Sequence, residues 1–123
     1  MEESNESTVS RTVSSKDVVR YSAPELLENN NVSPTTYSDT YSFAMLMLEC
    51  TTEVAPFSNL SSDAAVIHAR ITKRQYPTRP DGQNGQGNHV PEGLWKFMMR
   101  CWSVKPDHRP TMEQVHTFFL YQA

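Results

Sequence analysis

Four histidines, two cysteines and a glycine-rich stretch are the residues through which this 123-residue chain could do chemistry unaided. His68, His89, His108 and His116 never fall in a His-Glu-x-x-His spacing and have no paired cysteines beside them, so they form no zinc signature. Cys50 and Cys101 each stand apart from any second Cys or His at ligand spacing, which reads as two thiols in a reducing compartment, both packing in a core. Gly82, Gly85 and Gly87 lie within Asp81-Gly82-Gln83-Asn84-Gly85-Gln86-Gly87-Asn88. A phosphate cradle requires a strand before it and a helix after it; this stretch follows no strand and reads as a solvated connector. Asn5-Glu6-Ser7, Asn31-Val32-Ser33 and Asn59-Leu60-Ser61 match the glycosylation acceptor pattern. Met1-Glu2-Glu3-Ser4 has neither a basic nor an apolar leader region, so no secretion is expected and the three matches count as chance.

The elements that would position any site are helical, and the sequence predicts five of them in an all-α chain built around a central buried helix. The first runs from Ala23 to Asn29, with Pro24 and Glu25 suited to a first turn, and Asn29-Asn30-Asn31 stopping it. The second spans about Ser38 to Thr52. Phe43, Ala44, Met45, Leu46, Met47 and Leu48 are consecutive there, apolar on every side, so this helix belongs at the centre of a core, with Met45 and Met47 as core filler; the helices after it can shield only part of this surface, and the rest is expected to face water. The third opens on Ser62-Asp63 and carries Ala64, Ile67 and Ile71 as its buried stripe, with His68, Arg70, Lys73 and Arg74 elsewhere. Leu94, Phe97, Met98 and Cys101 give the fourth its i, i+3, i+4, i+7 face. Thr111 and Gln114 form a capping box for the fifth, which is predicted to bury Met112, Val115 and Phe119.

Composition bounds the function classes. A hydrophobic share of 37% and a charged share of 20% are near globular averages, so one modest core is expected. The net charge is −3, and no Lys/Arg cluster exists beyond Lys73-Arg74, which argues against nucleic-acid binding. No apolar run approaches the length of a bilayer span, so no membrane insertion is expected, and the chain reads as cytoplasmic. Residues 1–16 combine three Glu and seven Ser/Thr with only Val9 and Val13 as large apolar residues, and read as a flexible polar arm.

Three strings, taken in order, carry a resemblance: Ser22-Ala23-Pro24-Glu25-Leu26-Leu27, Ser38-Asp39-Thr40-Tyr41-Ser42-Phe43, and Cys101-Trp102 through Pro106-Asp107-His108-Arg109-Pro110. Their order and spacing resemble the C-terminal half of the large lobe of a protein kinase catalytic domain, of the tyrosine kinase-like group, over residues 17–123. By that resemblance Ala23, Pro24 and Glu25 close the activation segment, and Arg20-Tyr21-Ser22 is the approach to the peptide-binding loop. Thr12, Ser14 and Ser15 resemble the phosphorylatable part of that segment. Asp39 is the helix-start carboxylate that anchors the catalytic loop, and as a buried group it would need donors. Ala44 stands where the family usually has Gly, another residue small enough for close helix packing. Trp102, Arg109 and Pro110 belong to the closing turn, and the resemblance implies an ion pair between Arg109 and Glu25.

The same resemblance defines what this sequence lacks. Asp107-His108-Arg109 has the reverse order of a catalytic loop and no following Asn, and no Gly-rich loop, paired Lys or metal-binding Asp precedes residue 17. No catalytic, cofactor-binding or metal residue is therefore assigned, and ATP and magnesium belong to the complete family domain. Two functions remain open. One is a protein kinase domain, phosphorylating protein Ser, Thr or Tyr when complete and inactive as this incomplete, pseudokinase-like chain. The other is a non-catalytic C-lobe module that docks a protein partner.

Overall fold

The computed structural model describes residues 19–80 and 89–121. The polar arm 1–16 and the glycine-rich stretch 81–88 lie outside the described residues. The described chain is helical, without a strand: α1 (Pro24–Glu28), α2 (Thr36–Thr52), α3 (Asp63–Ile67, continuing as a π turn over His68–Thr72), α4 (Glu92–Cys101), a 3₁₀ turn (Pro106–His108) and α5 (Met112–Leu120).

Helix α2 begins two residues before the predicted Ser38. Thr35 is its N-cap: the Thr35 hydroxyl accepts from the Ser38 amide at 3.2 Å, and Ser38 Oγ accepts from the Thr35 amide at 2.8 Å. This reciprocal pair satisfies two of the orphan donors of a helix start. At its other end Glu53 adopts φ 64, a left-handed conformation that stops the helix. Capping at the other predicted starts follows the residues as read, with Ser62 accepting from the Ala65 amide and Thr111 and Gln114 bonding reciprocally.

The core lies between α2, α4 and α5. Ala44, Met45 and Leu48 of α2 meet Phe97, Met98 and Cys101 of α4 and Val115 of α5. Phe97 stacks on Phe118 with ring centroids 4.0 Å apart, and Phe119 meets Phe43 edge-on at 6.0 Å. Burying each large side chain contributes roughly 1.5–3 kcal/mol, so this three-helix contact holds most of the fold's apolar stabilisation.

Helix α2 keeps the partly bare side expected of it, and two other packing expectations need correction. Helix α2 is not enclosed all round: Met45 is fully buried but Leu46 is 50% exposed, and Phe43 and Met47 are half-buried, because α4 and α5 cover one side of the helix only. Cys50 is exposed on α2 instead of packing in the core, while Cys101 is buried. Met112 is exposed at the open end of α5, although its sulfur lies 3.4 Å from the Thr40 hydroxyl.

The third helix buries a different face from the one expected. Val66, Ala69 and Arg70 point inward, Ala64 and Ile67 face solvent, and Ile71 is half-buried. Val66, Ala69 and Arg70 follow one another at the i, i+3, i+4 spacing of a single helical face, offset from the face of Ala64, Ile67 and Ile71. The π turn closes the element, with the Lys73 amide donating to the His68 carbonyl at 3.1 Å, five residues back.

Candidate functional site

The residues that the sequence singles out converge at one end of α2. Pro24 is the first residue of α1, buried behind the fully buried Ala23, and places Glu25 in the first turn. Arg109 follows the 3₁₀ turn, closed by its own amide donating to the Pro106 carbonyl at 3.1 Å, and Pro110 behind it is fully buried. The Arg109 guanidinium donates from Nη1 to Glu25 Oε2 at 2.9 Å and from Nη2 to Glu25 Oε1 at 2.8 Å. Nη1 also donates to the Tyr37 carbonyl at 3.0 Å, and Nε donates to the Ser103 carbonyl at 2.9 Å. The guanidinium lies over the Tyr41 ring, 4.9 Å from its centroid. All three guanidinium nitrogens thus have acceptors and one π face is covered, the condition under which a fully desolvated Arg is tolerated.

Burial on its own would raise the Glu25 carboxyl. The hydrogen bonds from Arg109, a backbone hydrogen bond and the charges of Arg109 and Arg70 outweigh it and hold the group below the usual carboxylate range. Glu25 is therefore a structural anion.

Two further buried arginines complete the arrangement: Arg20, which the resemblance places on the approach to the peptide-binding loop, and Arg70, expected off the buried stripe of its helix. Arg20 donates from Nη1 to the carbonyls of Pro56 (2.9 Å) and Phe57 (2.7 Å), and from Nη2 to that of Leu60 (2.7 Å). Arg70 donates from Nη1 to the Val19 carbonyl at 2.7 Å and lies 5.2 Å from the Tyr41 centroid, so Tyr41 stands between two guanidinium groups. Beside them the Tyr21 hydroxyl donates to Glu49. The signal for Arg70 was its spacing from Val66, one helical turn, which the assumption that charged residues face outward set aside.

Asp39 stands elsewhere. It is exposed in the first turn of α2, and no hydrogen bond joins its carboxylate to another described residue. The carboxylate that the resemblance assigns to an anchor is solvated here, because no described element covers that side of α2. Trp102 is fully buried after α4, edge-on to Trp95 at 5.5 Å and stacked near Tyr76 at 6.3 Å. Its indole N–H has no acceptor among the described residues. Burial pushes the Cys101 thiol up to about 12, too high for nucleophilic work.

A cavity of about 460 Å³ is walled by Leu48, Pro56, Phe57 and Pro77 with Thr52, Ser58 and Asn59, and includes no Lys or Arg. That lining does not fit a triphosphate, which needs cationic partners. Among the described residues no three His, Cys, Asp or Glu side chains gather at a point where they could hold a metal ion. Chemically, the arrangement is a clamp that immobilises residues 19–25 against the start of α2 and the turn before α5.

Comparison with known proteins gives this clamp a family. A family model described as protein tyrosine and serine/threonine kinase matches residues 1–119, and the chain belongs to that family. The chain is 31% identical over 97 residues to the human proto-oncogene tyrosine-protein kinase ROS, covering 79% of this chain and 4% of that protein. It is 30% identical over 106 residues to the human receptor-interacting serine/threonine-protein kinase 1, covering 83% and 15% respectively. A receptor-type guanylate cyclase of Caenorhabditis elegans is 29% identical over 105 residues, covering 83% and 10%. The chain therefore spans well under a quarter of the length of each of these relatives.

Proposed function

We propose that this chain forms the peptide-facing part of a protein kinase large lobe and transfers no phosphate by itself. The observation that carries this reading is the two-pronged contact of Arg109 with Glu25, which fixes Ala23-Pro24-Glu25 against the floor of the helical core. A clamp of this kind serves a domain that must hold an extended peptide segment in one place, since a positioning error of an ångström costs heavily in transfer rate. Phosphoryl transfer also needs a nucleotide cradle, a Lys–Glu pair, a catalytic Asp and magnesium ligands, and this sequence supplies none of those motifs. ATP and magnesium are accordingly assigned to the complete domain, and a protein substrate in a cytoplasmic setting fits the same reading. Calorimetric titration of the 123-residue chain with Mg·ATP should give no binding heat, and labelled phosphate should not appear on casein or myelin basic protein. Transfer that a substitution within this chain abolishes would overturn the proposal.

A second reading, a docking module without chemistry, is favoured by one observation. Phe43, Leu46 and Met47 leave one side of α2 incompletely covered, as a surface that receives a partner would. Light scattering discriminates the two: a monomer that stays dispersed at high concentration speaks against a sticky docking face.

A further inference from the structure

Arg20 has a role that its position beside Tyr21-Ser22-Ala23 does not disclose. It is 4% exposed, and its two terminal nitrogens meet three carbonyls of the loop between α2 and α3, those of Pro56, Phe57 and Leu60. Three carbonyls pointing at one centre is not a relaxed loop geometry. Within it Phe57 adopts φ 57, a left-handed conformation that a bulky side chain rarely takes, with its ring buried all the same. The loop is thus shaped around the guanidinium. From the other side the buried Arg70 guanidinium donates to the carbonyl of Val19, the residue preceding Arg20.

We propose that Arg20 is a positioning residue that locks the peptide-facing segment 19–22 to the loop Pro56–Leu60, so that the two move as one body and the loop sets where a bound peptide lies. The proposal rests on reading residues 19–22 as the approach to the peptide-binding loop. It goes further by assigning control of that approach to a loop 36–40 residues away in sequence. The same loop lines the 460 Å³ cavity through Pro56, Phe57, Ser58 and Asn59, so anything that fills the cavity acts on the segment through Arg20.

The test is amide hydrogen exchange on the full chain, comparing the native protein with Arg20→Met, Arg20→Lys and Asn59→Gly. Asn59 is exposed and supplies none of the three carbonyls, so Asn59→Gly loosens the loop while leaving every acceptor in place. The expected result is that Arg20→Met speeds exchange in residues 54–61 and 19–27 together, by about tenfold or more, as loss of a charged hydrogen-bond set implies. Arg20→Lys restores part of the protection in both segments, since a point charge cannot reach three acceptors as the fork does. Asn59→Gly speeds exchange in 19–27 although it touches none of those residues. Exchange in 19–27 at the native rate in Asn59→Gly overturns the coupling, whether Arg20→Met folds or not. So does acceleration confined to 54–61 in Arg20→Met. No peptide or nucleotide enters this measurement, so a negative result removes the coupling alone, and the kinase reading stands or falls on the transfer assay.

Discussion

Arg109 grips Glu25 with two parallel hydrogen bonds of 2.9 and 2.8 Å across 84 residues of chain, with the Arg side chain wholly out of water and the Glu side chain 21% exposed. Replacing Glu25 by Ala leaves a desolvated guanidinium with only its carbonyl partners, and should lower unfolding free energy by about 3 kcal/mol, the lower end for a buried pair because Glu25 keeps some solvent. Arg109→Lys should cost nearly as much, since an ammonium cannot fork onto both oxygens. Urea titration monitored by Trp102 fluorescence measures both.

Acid should release the same clamp. The Glu25 carboxyl is held below its ordinary value of 4.5 in the folded chain, so the unfolded state binds its proton first as pH falls. The stabilisation is complete above the ordinary value and is lost as pH drops through the lowered one. Urea midpoints should therefore decline below about pH 4.5 in the native chain. In Glu25→Gln that decline should be shallower.

The two thiols should separate cleanly. Cys50 is exposed and should react with a thiol-specific reagent within minutes at pH 8, whereas Cys101, buried and with its thiol pushed up to about 12, should react only on unfolding. Because the folded chain holds the Cys101 proton more tightly than the unfolded chain, stability should also fall as pH rises above 9.0, the ordinary thiol value. Counting labelled cysteines by mass spectrometry with and without urea checks the first claim. A Cys101→Ser control isolates the second.

Neighbouring residues of α2 should respond in opposite ways. Met45→Ala removes a fully buried side chain and should cost about 2–5 kcal/mol. Leu46→Ser, one position on, removes a half-exposed one and should change stability by no more than about 1 kcal/mol while reducing self-association. Calorimetry and light scattering on the pair of variants give both readouts.

Much of the fold was legible because its signals are local. Ser62 and Thr111 announce helix starts through their own hydroxyls, and Phe97, Met98 and Cys101 declare a face through spacing alone. What failed to show was whatever depended on geometry beyond one turn. The third helix offers two faces at helical spacing, Ala64–Ile67–Ile71 and Val66–Ala69–Arg70, and only the packing around Arg70 decides that the second one faces inward. That apolar neighbours surround Leu46 could be read from the sequence, but which side of α2 stays bare could not; the described elements leave Leu46 and Asp39 exposed. Nothing in Glu25 or Arg109 taken singly announces a contact over such a separation. The burial of Arg20 and Arg70 was not legible because their partners are main-chain carbonyls, which every sequence contains and none distinguishes.

The separation of Glu25 from Arg109 also imposes an order in time during synthesis. At about 5–20 residues per second, the ribosome adds the intervening 84 residues in roughly 4–17 s. Over that interval α1 has no charge partner from the turn before α5. The three carbonyls that receive Arg20 arrive far sooner, 36–40 residues after it, so the nascent chain can seat Arg20 long before Arg109. A stop or frameshift between residues 61 and 108 would thus leave the loop cage formed and Glu25 waiting, a half-latched species exposing α2 to chaperones and proteases.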